Sequence, residues 1–290
     1  DSQPVYLAGE TRQYTPGPAK SEFTIFEPLL VKAAVSTSLA ETGSSFHRTG
    51  NFDLAIGELV DYDITVVVPE ADTPDSVITD LLPASAADGF LEVVGASVLS
   101  IGSNISTTLP GTAVLSDTTV VDGKKDKVVF AFGKISNKAD NLNNADDTIV
   151  VRVTARVVDL PDNVNTKLLT NNASFTYGSG SPLNSSADVD VVEPVLAVTK
   201  SMTLAGGGFV DIAMTLTNSG TSPAYNASVD DVLKYTDWDL SNIAAVTVPA
   251  GFVFANTAGP GTSRTVKFSS DPLATAPAGV VLPGGVATFV

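Results

Sequence analysis

The sequence contains no cysteine, which excludes disulfide bonds, cysteine-based zinc sites and thiol catalysis. It also contains a single histidine, His47, which lies beside Arg48 in a polar stretch. Without a second histidine or a cysteine, His47 cannot form a recognisable zinc site or catalytic triad. Any covalent bond that stabilises this chain must therefore use side chains other than cysteine.

Positive charge and long apolar runs are also scarce. The 290 residues include 16 Lys and Arg against 32 Asp and Glu, which gives a formal net charge of −16. Such a surface repels nucleic acid and anionic membranes, whereas it attracts divalent cations. No apolar run reaches the ~18 residues that a membrane-spanning helix needs. We therefore expect no nucleic-acid partner and no membrane span in this sequence.

The residues that are present predict an all-β protein. Hydrophobic residues make up 43% of the chain, which is enough for packed cores. Short runs alternate apolar and polar residues, as in Val60, Tyr62, Ile64 and Val66. Gly and Pro separate these runs, and no long stretch shows a sustained helical period. The pattern therefore favours β-sandwiches.

Two segments of the chain repeat the same context. Glu27-Pro28 begins a strand-like run that ends in a lysine, and Glu193-Pro194 begins another. The repeat predicts a tandem array, with a first module over residues 24–192 and a second over residues 193–290. Residues 1–23 are expected to be the tail of a preceding repeat or a linker strand. Because no later segment matches the one that closes the first module, we expect the second module to be truncated.

Three polar residues of the first module fall on the apolar faces of predicted strands. Lys32, Asp80 and Asn171 each alternate with apolar neighbours; Asn171, for example, shares its face with Leu169 and Phe175. Burying an unpaired amine, carboxyl or amide costs a few kcal/mol. We therefore expect the three side chains to meet each other in the core. The alternative interpretation is a buried Lys32–Asp80 ion pair, with Asn171 hydrogen-bonded to the backbone.

These positions carry a family resemblance. Lys32 in Leu-Val-Lys, Asp80 in Thr-Asp-Leu-Leu-Pro and Asn171 in Leu-Thr-Asn-Asn-Ala resemble the isopeptide-forming immunoglobulin-like modules of bacterial fimbrial and surface proteins. The related conserved-repeat domains of large bacterial adhesins share the pattern. The resemblance implies immunoglobulin-like sandwiches and an amide bond between the lysine and the asparagine, assisted by the aspartate. In the second module Lys200 and Asp231 match, but no matching asparagine follows them, so Lys200 should remain a free amine.

An acidic loop is a candidate calcium site. Carboxylate and amide oxygens are the ligands that calcium prefers, and they are dense just before a predicted strand. The alternative is a solvated turn rich in Asp and Asn, because the spacing and closing glutamate of an EF-hand are absent. The candidate ligands are Asp140, Asn141, Asn143, Asp146 and Asp147. Calcium is the one possible cofactor that the sequence suggests.

The sequence and the resemblance together predict a non-enzymatic structural segment. We expect a part of a bacterial surface fibre, adhesin stalk or surface layer, located outside the cell. Its partners would be copies of itself or neighbouring repeats. The alternative is a ligand-binding adhesin module that recognises a glycan or protein through its loops. Tyr235 and Trp238, close to Asp237 and Asp239, could stack on a sugar, although a lone tryptophan is more often a packing residue.

Overall fold

The computed structural model describes residues 27–40, 42, 47–85, 87–118, 122–140, 142–258, 263–271 and 278–290. The predicted tail over residues 1–23 lies outside these ranges. Within them the structure consists of β-strands, with one short 3-10 helix at Ala145–Asp147 and no helix long and apolar enough to cross a membrane. The all-β prediction is therefore confirmed.

The first eleven strands form two facing sheets, which we call the first sandwich. One sheet has the order β1-β3-β9-β5, and the other has the order β2-β11-β10-β4-β8-β6, with β7 also paired to β8. All pairings are antiparallel except the parallel β2–β11 pair. The strands are β1 Leu29–Thr37, β2 Phe52–Ala55, β3 Leu59–Val67, β4 Ala71–Leu81, β5 Leu91–Ile101, β6 Ile105–Thr107, β7 Ala113–Ser116, β8 Lys127–Asn137, β9 Thr148–Val157, β10 Leu168–Thr176 and β11 Leu183–Val192.

Alternation in the sequence explains how the first sandwich buries its core. In β3 the even-numbered residues are buried, and Tyr62 and Ile64 are fully enclosed. They pack with residues of the opposite sheet, including Phe130 and Phe175, in one continuous cluster. The polar residues of β3 and β9 face outward, where Arg152 of β9 binds the carboxylate of β3 residue Asp63 through Nε at 2.7 Å. One face of each strand thus supplies the core and the other supplies surface ion pairs.

The remaining six strands form a smaller pair of sheets, which we call the second sandwich. Its sheets have the orders β12-β13-β17 and β14-β16-β15. Phe268 of one sheet and Phe289 of the other pack in its core with their rings 4.8 Å apart. These strands are β12 Leu196–Gly206, β13 Phe209–Asn218, β14 Ser228–Lys234, β15 Phe252–Ala258, β16 Ser263–Ser270 and β17 Val286–Phe289.

Only three residues separate β11 from β12, and Glu193 anchors that joint. The Asn165 N–H donates to Glu193 Oε2 at 2.8 Å, and the Glu193 N–H donates back to Asn165 Oδ1 at 3.2 Å. The Thr221 hydroxyl also donates to Asn165 Oδ1, and the Thr221 N–H donates to the Glu193 carbonyl at 3.2 Å. A loop of the first sandwich therefore holds the start of the second.

Candidate functional site

The structure brings Lys32, Asp80 and Asn171 together between the two sheets of the first sandwich. Lys32 lies on the inward face of β1, and its backbone N–H donates to Ser185 Oγ of the facing sheet at 2.9 Å. Asp80 lies on β4, where it pairs with Ala173 of the adjacent strand β10. Asn171 stands two residues before Ala173 on the same face of β10. Three strands far apart in sequence thus each present one polar side chain to the same point.

The Asp80 carboxyl group touches both of the other residues. Lys32 Nζ bonds to Asp80 Oδ1, and Asn171 Nδ2 donates to Asp80 Oδ2 at 3.3 Å. The side chains of Lys32 and Asp80 are both fully shielded from solvent, and Asn171 is also completely buried. The Tyr62 ring lies 4.9 Å from the lysine amine. The amine, the acid and the amide therefore form a cluster shielded from solvent.

Burial changes the protonation behaviour of this cluster. Desolvation lowers the pKa of Lys32 to about 8, although the charge and hydrogen bond of Asp80 oppose the change. Desolvation likewise raises the pKa of Asp80 against the opposing effect of Lys32. Burial thus shifts both groups toward their neutral forms, a neutral amine and a neutral carboxylic acid. These are the protonation states that a nucleophilic amine and a hydrogen-bond-donating acid require.

One atom of the cluster has no hydrogen-bond partner. Asn171 Oδ1 is buried and unpartnered, as is the Tyr62 hydroxyl oxygen. An unsatisfied buried group costs about 1–3 kcal/mol, so its presence in a core calls for an explanation. Rotating the Asn171 amide about its Cβ–Cγ bond would turn Oδ1 toward Asp80. A protonated Asp80 could then donate to that oxygen and polarise the amide carbon.

The arrangement can support one balanced reaction. The neutral Lys32 amine attacks Asn171 Cγ, the new C–N amide bond forms, and the Cγ–Nδ2 bond breaks. The proton lost by the lysine nitrogen is transferred to the departing nitrogen, which leaves as ammonia. No oxidant, metal or cofactor enters the balance. Holding the groups in contact gives a large effective concentration, so a slow reaction that happens once per molecule is sufficient.

The second sandwich contains the same lysine–aspartate pair without the same surroundings. Lys200 Nζ lies 2.7 Å from Asp231 Oδ2, which joins β12 to β14 as Lys32 joins β1 to β4. The Lys200 side chain is 40% exposed, and every residue of β12 is exposed. Among the described residues, the amine of Lys200 has this carboxylate as its hydrogen-bond partner and no asparagine. Lys200 and Asp231 therefore form a partly exposed ion pair, and the free amine stays a prediction.

The acidic loop is held by hydrogen bonds within the protein. Ser103 Oγ donates to Asp146 Oδ1 at 2.7 Å, and Asn104 Nδ2 donates to Asp140 Oδ2 at 2.9 Å. Asp147 Oδ2 accepts the backbone N–H of Asn144 and caps the 3-10 helix. No group of three or more Asp, Glu or His side chains that could hold a metal is found in the described part of the chain. Of the other candidate ligands, Asn143 is exposed and Asn141 lies outside the described residues, and calcium binding stays a prediction.

Sequence patterns did not identify two partners of the cluster. Ser185 lies on β11, a strand whose alternation is weak, so nothing marked its hydroxyl as the acceptor for the Lys32 backbone. Tyr62 was recognised only as a core residue of an alternating strand. Its position over the amine follows from the β1–β3 register, in which Lys32 pairs with Ile64. Strand register would have placed Tyr62, whereas the Ser185 contact also depends on how the two sheets face each other.

Comparisons with known proteins give structural likeness at low identity. No protein-family model and no curated protein matches the chain. Among solved structures, the C-terminal domain of the AgI/II polypeptide BspA of Streptococcus agalactiae is 11% identical, with 90% of this chain and 89% of that chain covered and a TM-score of 0.38. BcpA, the major pilin subunit of Bacillus cereus, is 12% identical with a TM-score of 0.33; 91% of this chain aligns with 55% of BcpA. The pilus backbone RrgB of Streptococcus pneumoniae is 11% identical, with 88% of this chain and 54% of that chain covered and a TM-score of 0.30.

Proposed function

We propose that the first sandwich is a self-cross-linked structural unit of a bacterial cell-surface fibre or adhesin stalk. Lys32 and Asn171 form an internal amide bond, and Asp80 acts as the acid that polarises the amide. The observation that carries the proposal is the Asp80 carboxyl group, which contacts the Lys32 amine and the Asn171 amide in a fully buried cluster. The family resemblance and the pilin and adhesin neighbours agree with this role.

The position of the bond explains its mechanical use. It would join β1, the first described strand of the sandwich, to β10, the strand before the last. A pulling force applied through the two ends would then pass through the amide bond rather than through the hydrogen bonds of the sheets. Closing so long a loop also removes unfolded-chain entropy worth roughly 5 kcal/mol by the estimate used for disulfides. In a chain without cysteine, this bond would cross-link distant strands, as a disulfide bond does in other proteins.

Intact mass spectrometry tests the proposal. The purified chain should be lighter than its sequence by one ammonia, and proteolysis should yield a branched peptide that joins Lys32 to Asn171. Asp80→Asn keeps the size of the side chain but cannot donate a carboxylic proton, so its mass should equal that of the sequence. Exposed Asp230→Asn is the matched control and should leave the bond intact. A folded parent chain with the full sequence mass would overturn the proposal.

A further inference from the structure

The second sandwich has an open edge at β12. This strand stands first in the sheet β12-β13-β17 and pairs with β13. Among the described residues no strand pairs with its other edge, and every residue of β12 is exposed. In the first sandwich β1 holds the same position, but there the Lys32 N–H, turned away from β3, donates to Ser185 Oγ. An unpaired edge like that of β12 can accept a further strand.

The hydrogen-bonding phase of β12 shows which backbone groups its open edge presents. The Ser219 N–H donates to the Val195 carbonyl at 2.8 Å, so the Val195 carbonyl points toward β13. The register of β12 against β13 is regular from Leu196 to Leu204. Alternate residues of an antiparallel strand direct their backbone groups to opposite sides. The even-numbered residues over 198–204 therefore direct their N–H and C=O groups to the open edge.

The same even-numbered residues carry the apolar side chains of the strand. Val198 is 50% exposed, Met202 is 56% exposed and Leu204 is 89% exposed. An apolar strand face that is this open is an unusual feature of a soluble β-protein. The strand contains no carboxylate, and its one charged residue, Lys200, is paired with Asp231. Two copies of this acidic chain can therefore meet along β12 without opposing carboxylates.

We propose that β12 pairs with β12 of a second copy of this chain, antiparallel, about a two-fold axis at Ser201. The two three-stranded sheets then join into one sheet of six strands, with β12 of each copy at its centre. The contact is isologous, so it closes after two copies. It does not rest on the amide bond proposed for the first sandwich, because no residue of that sandwich takes part.

The sequence of β12 is complementary to itself about Ser201. Ser201 is the midpoint of the strand Leu196–Gly206, so an axis there pairs more residues than any other axis. An axis at Lys200 would place two ammonium groups directly opposite each other, which destabilises a sheet. The axis at Ser201 instead forms apolar and hydroxyl pairs, which stabilise one. The pairs are Val198 with the partner's Leu204, Lys200 with the partner's Met202, Thr199 with the partner's Thr203, and Ser201 with the partner's Ser201.

Single cysteines test this pairing, because the chain itself contains none. The backbone groups of Ser201 point toward β13, so Ser201 and the partner's Ser201 form a pair without mutual hydrogen bonds. The Cα atoms of such a pair lie about 4.5 Å apart. This distance is within the range of about 4.4–6.8 Å that a disulfide bond spans. The Ser201→Cys chain should therefore form a disulfide-linked dimer on mild oxidation with diamide.

Two neighbouring positions provide matched controls and fix the register. Thr199→Cys and Thr203→Cys should each stay unlinked alone, because each position lies opposite the other, whereas a mixture of the two chains should become linked. Linkage of Thr199→Cys to Ser201→Cys in place of that mixture would indicate an axis at Lys200 and overturn the proposal. Failure of Ser201→Cys to link, or equal linkage of all three variants alone, would also overturn it.

A charge at position 202 tests the same pairing without a cross-link. Met202→Lys places an ammonium group opposite the partner's Lys200 at both ends of the dimer and should weaken association about tenfold or more. Met202→Glu places a carboxylate there and should preserve the dimer. Sedimentation equilibrium of the parent chain and both variants measures the dissociation constants. Equal constants for the two variants would overturn the proposal.

Hydrogen exchange distinguishes a second copy from other covers of the strand. The amides of Lys200 and Met202 face the open edge, so their exchange in the parent chain should slow as the chain concentration rises. The Ser201 amide points toward β13 and should exchange slowly at every concentration. Protection of the Lys200 and Met202 amides that does not depend on concentration would mean that another part of the same chain covers β12, and would overturn the proposal.

Discussion

The two sandwiches contain the same lysine–aspartate pair in opposite surroundings. The Lys32 side chain is fully shielded, whereas the Lys200 side chain is 40% exposed. In both places a first strand supplies the amine and a middle strand supplies the carboxylate. What differs is the cover: β10 and β11 enclose the first pair, and no described strand encloses the second. The comparison teaches that the same two residue types can form either a desolvated core cluster or a partly exposed ion pair, depending on the strands that cover them.

The energies of the two pairs should differ for the same reason. An exposed ion pair contributes at most about 1 kcal/mol, because water screens the charges and long side chains lose entropy. A buried pair pays a desolvation penalty that can exceed its own attraction, so a charged Lys32–Asp80 pair is a poor way to stabilise a core. A neutral pair converted to an amide bond avoids that penalty. The amide bond proposed for the first sandwich would therefore stabilise a buried pair, whereas the partly exposed pair of the second sandwich pays a smaller desolvation penalty.

The largest expected effect comes from removing the two lysines in turn. Lys32→Ala would remove the proposed cross-link and leave the Asp80 carboxyl group buried without its partner. The two losses are roughly 5 kcal/mol for loop closure and about 1–3 kcal/mol for a buried group without its hydrogen bond. Lys200→Ala removes an exposed ion pair and should change the free energy of unfolding by about 1 kcal/mol or less. Urea unfolding of both variants and the parent measures the difference.

Fluorescence of the single tryptophan, Trp238, reports on the second sandwich, and circular dichroism reports on both. If Lys32→Ala fails to fold, Lys32→Met offers a side chain of similar length without charge and should still unfold well before the parent. Equal effects of the Lys32 and Lys200 substitutions would contradict the comparison.

A second, smaller effect concerns pH. In Asn171→Ala the Lys32 amine cannot be linked, so it titrates with a pKa of about 8 in the folded chain against 10.5 for the ordinary group. Between these values the unfolded chain binds more protons at this lysine. The stability of the variant should therefore rise with pH by up to about 1.4 kcal/mol per pH unit across the window from pH 8 to 10.5.

The parent chain should lack this rise, because an amide nitrogen does not titrate in that window. Unfolding free energies of the parent and Asn171→Ala, measured at intervals from pH 7.5 to pH 10.5, isolate the Lys32 contribution as their difference. A constant difference across the window would show that Lys32 is not a free, desolvated amine in the variant.

Much of this arrangement follows from the sequence because period-two alternation identifies strand faces. Lys32, Asp80 and Asn171 each stand among apolar neighbours at that spacing, and this alone marks them as inward polar groups that need partners. Because burying each group without a partner costs free energy, a single cluster of the three is the more stable arrangement. The alternation of β3 predicted its burial residue by residue.

Other features depended on information that alternation does not contain. The exposed face of β12 has the pattern of a buried strand, and no strand among the described residues covers it. The Ser185 contact depends on how the sheets face each other. The β4 strand continues through Pro74, where shifts of register and a positive φ at Asp75 break the simple pattern. Pairing between distant strands decides these details, and local sequence does not encode it.

The third prediction compares one buried asparagine in each sandwich, and here the second sandwich should lose more stability. Each sandwich has a buried asparagine whose Nδ2 donates to two backbone carbonyls: Asn163 binds those of Phe90 and Val158, and Asn218 binds those of Ser222 and Val281. Asn218 Oδ1 also accepts the N–H groups of Val195 and Gly220, whereas Asn163 Oδ1 is unpartnered.

Because Asn218→Ala leaves more backbone groups unsatisfied, it should destabilise its sandwich more than Asn163→Ala destabilises the other. Each newly unpaired buried group costs about 1–3 kcal/mol before relaxation and water entry reduce the total. Urea unfolding, followed separately for each sandwich by hydrogen exchange, gives the two values. A larger loss for Asn163→Ala would contradict this expected order.

The smallest expected effect lies at the joint between the two sandwiches. Asn165→Ala removes the acceptor for the Glu193 N–H and the Thr221 hydroxyl, while the bond from the Thr221 N–H to the Glu193 carbonyl remains. We expect the free energy of unfolding to fall by about 1 kcal/mol, typical of partly exposed hydrogen bonds, and amide exchange at Glu193 to become faster.

Asn172→Ala is the matched control, since Asn172 is exposed and makes only a long contact of 3.5 Å with the Thr170 carbonyl. Small-angle scattering should show a broader distribution of interatomic distances for Asn165→Ala than for the parent, and an unchanged distribution for the control. If neither exchange nor scattering changes, the short connection from Val192 to Leu196 is stiff without the Asn165 contacts, and the two sandwiches are coupled by their backbone alone.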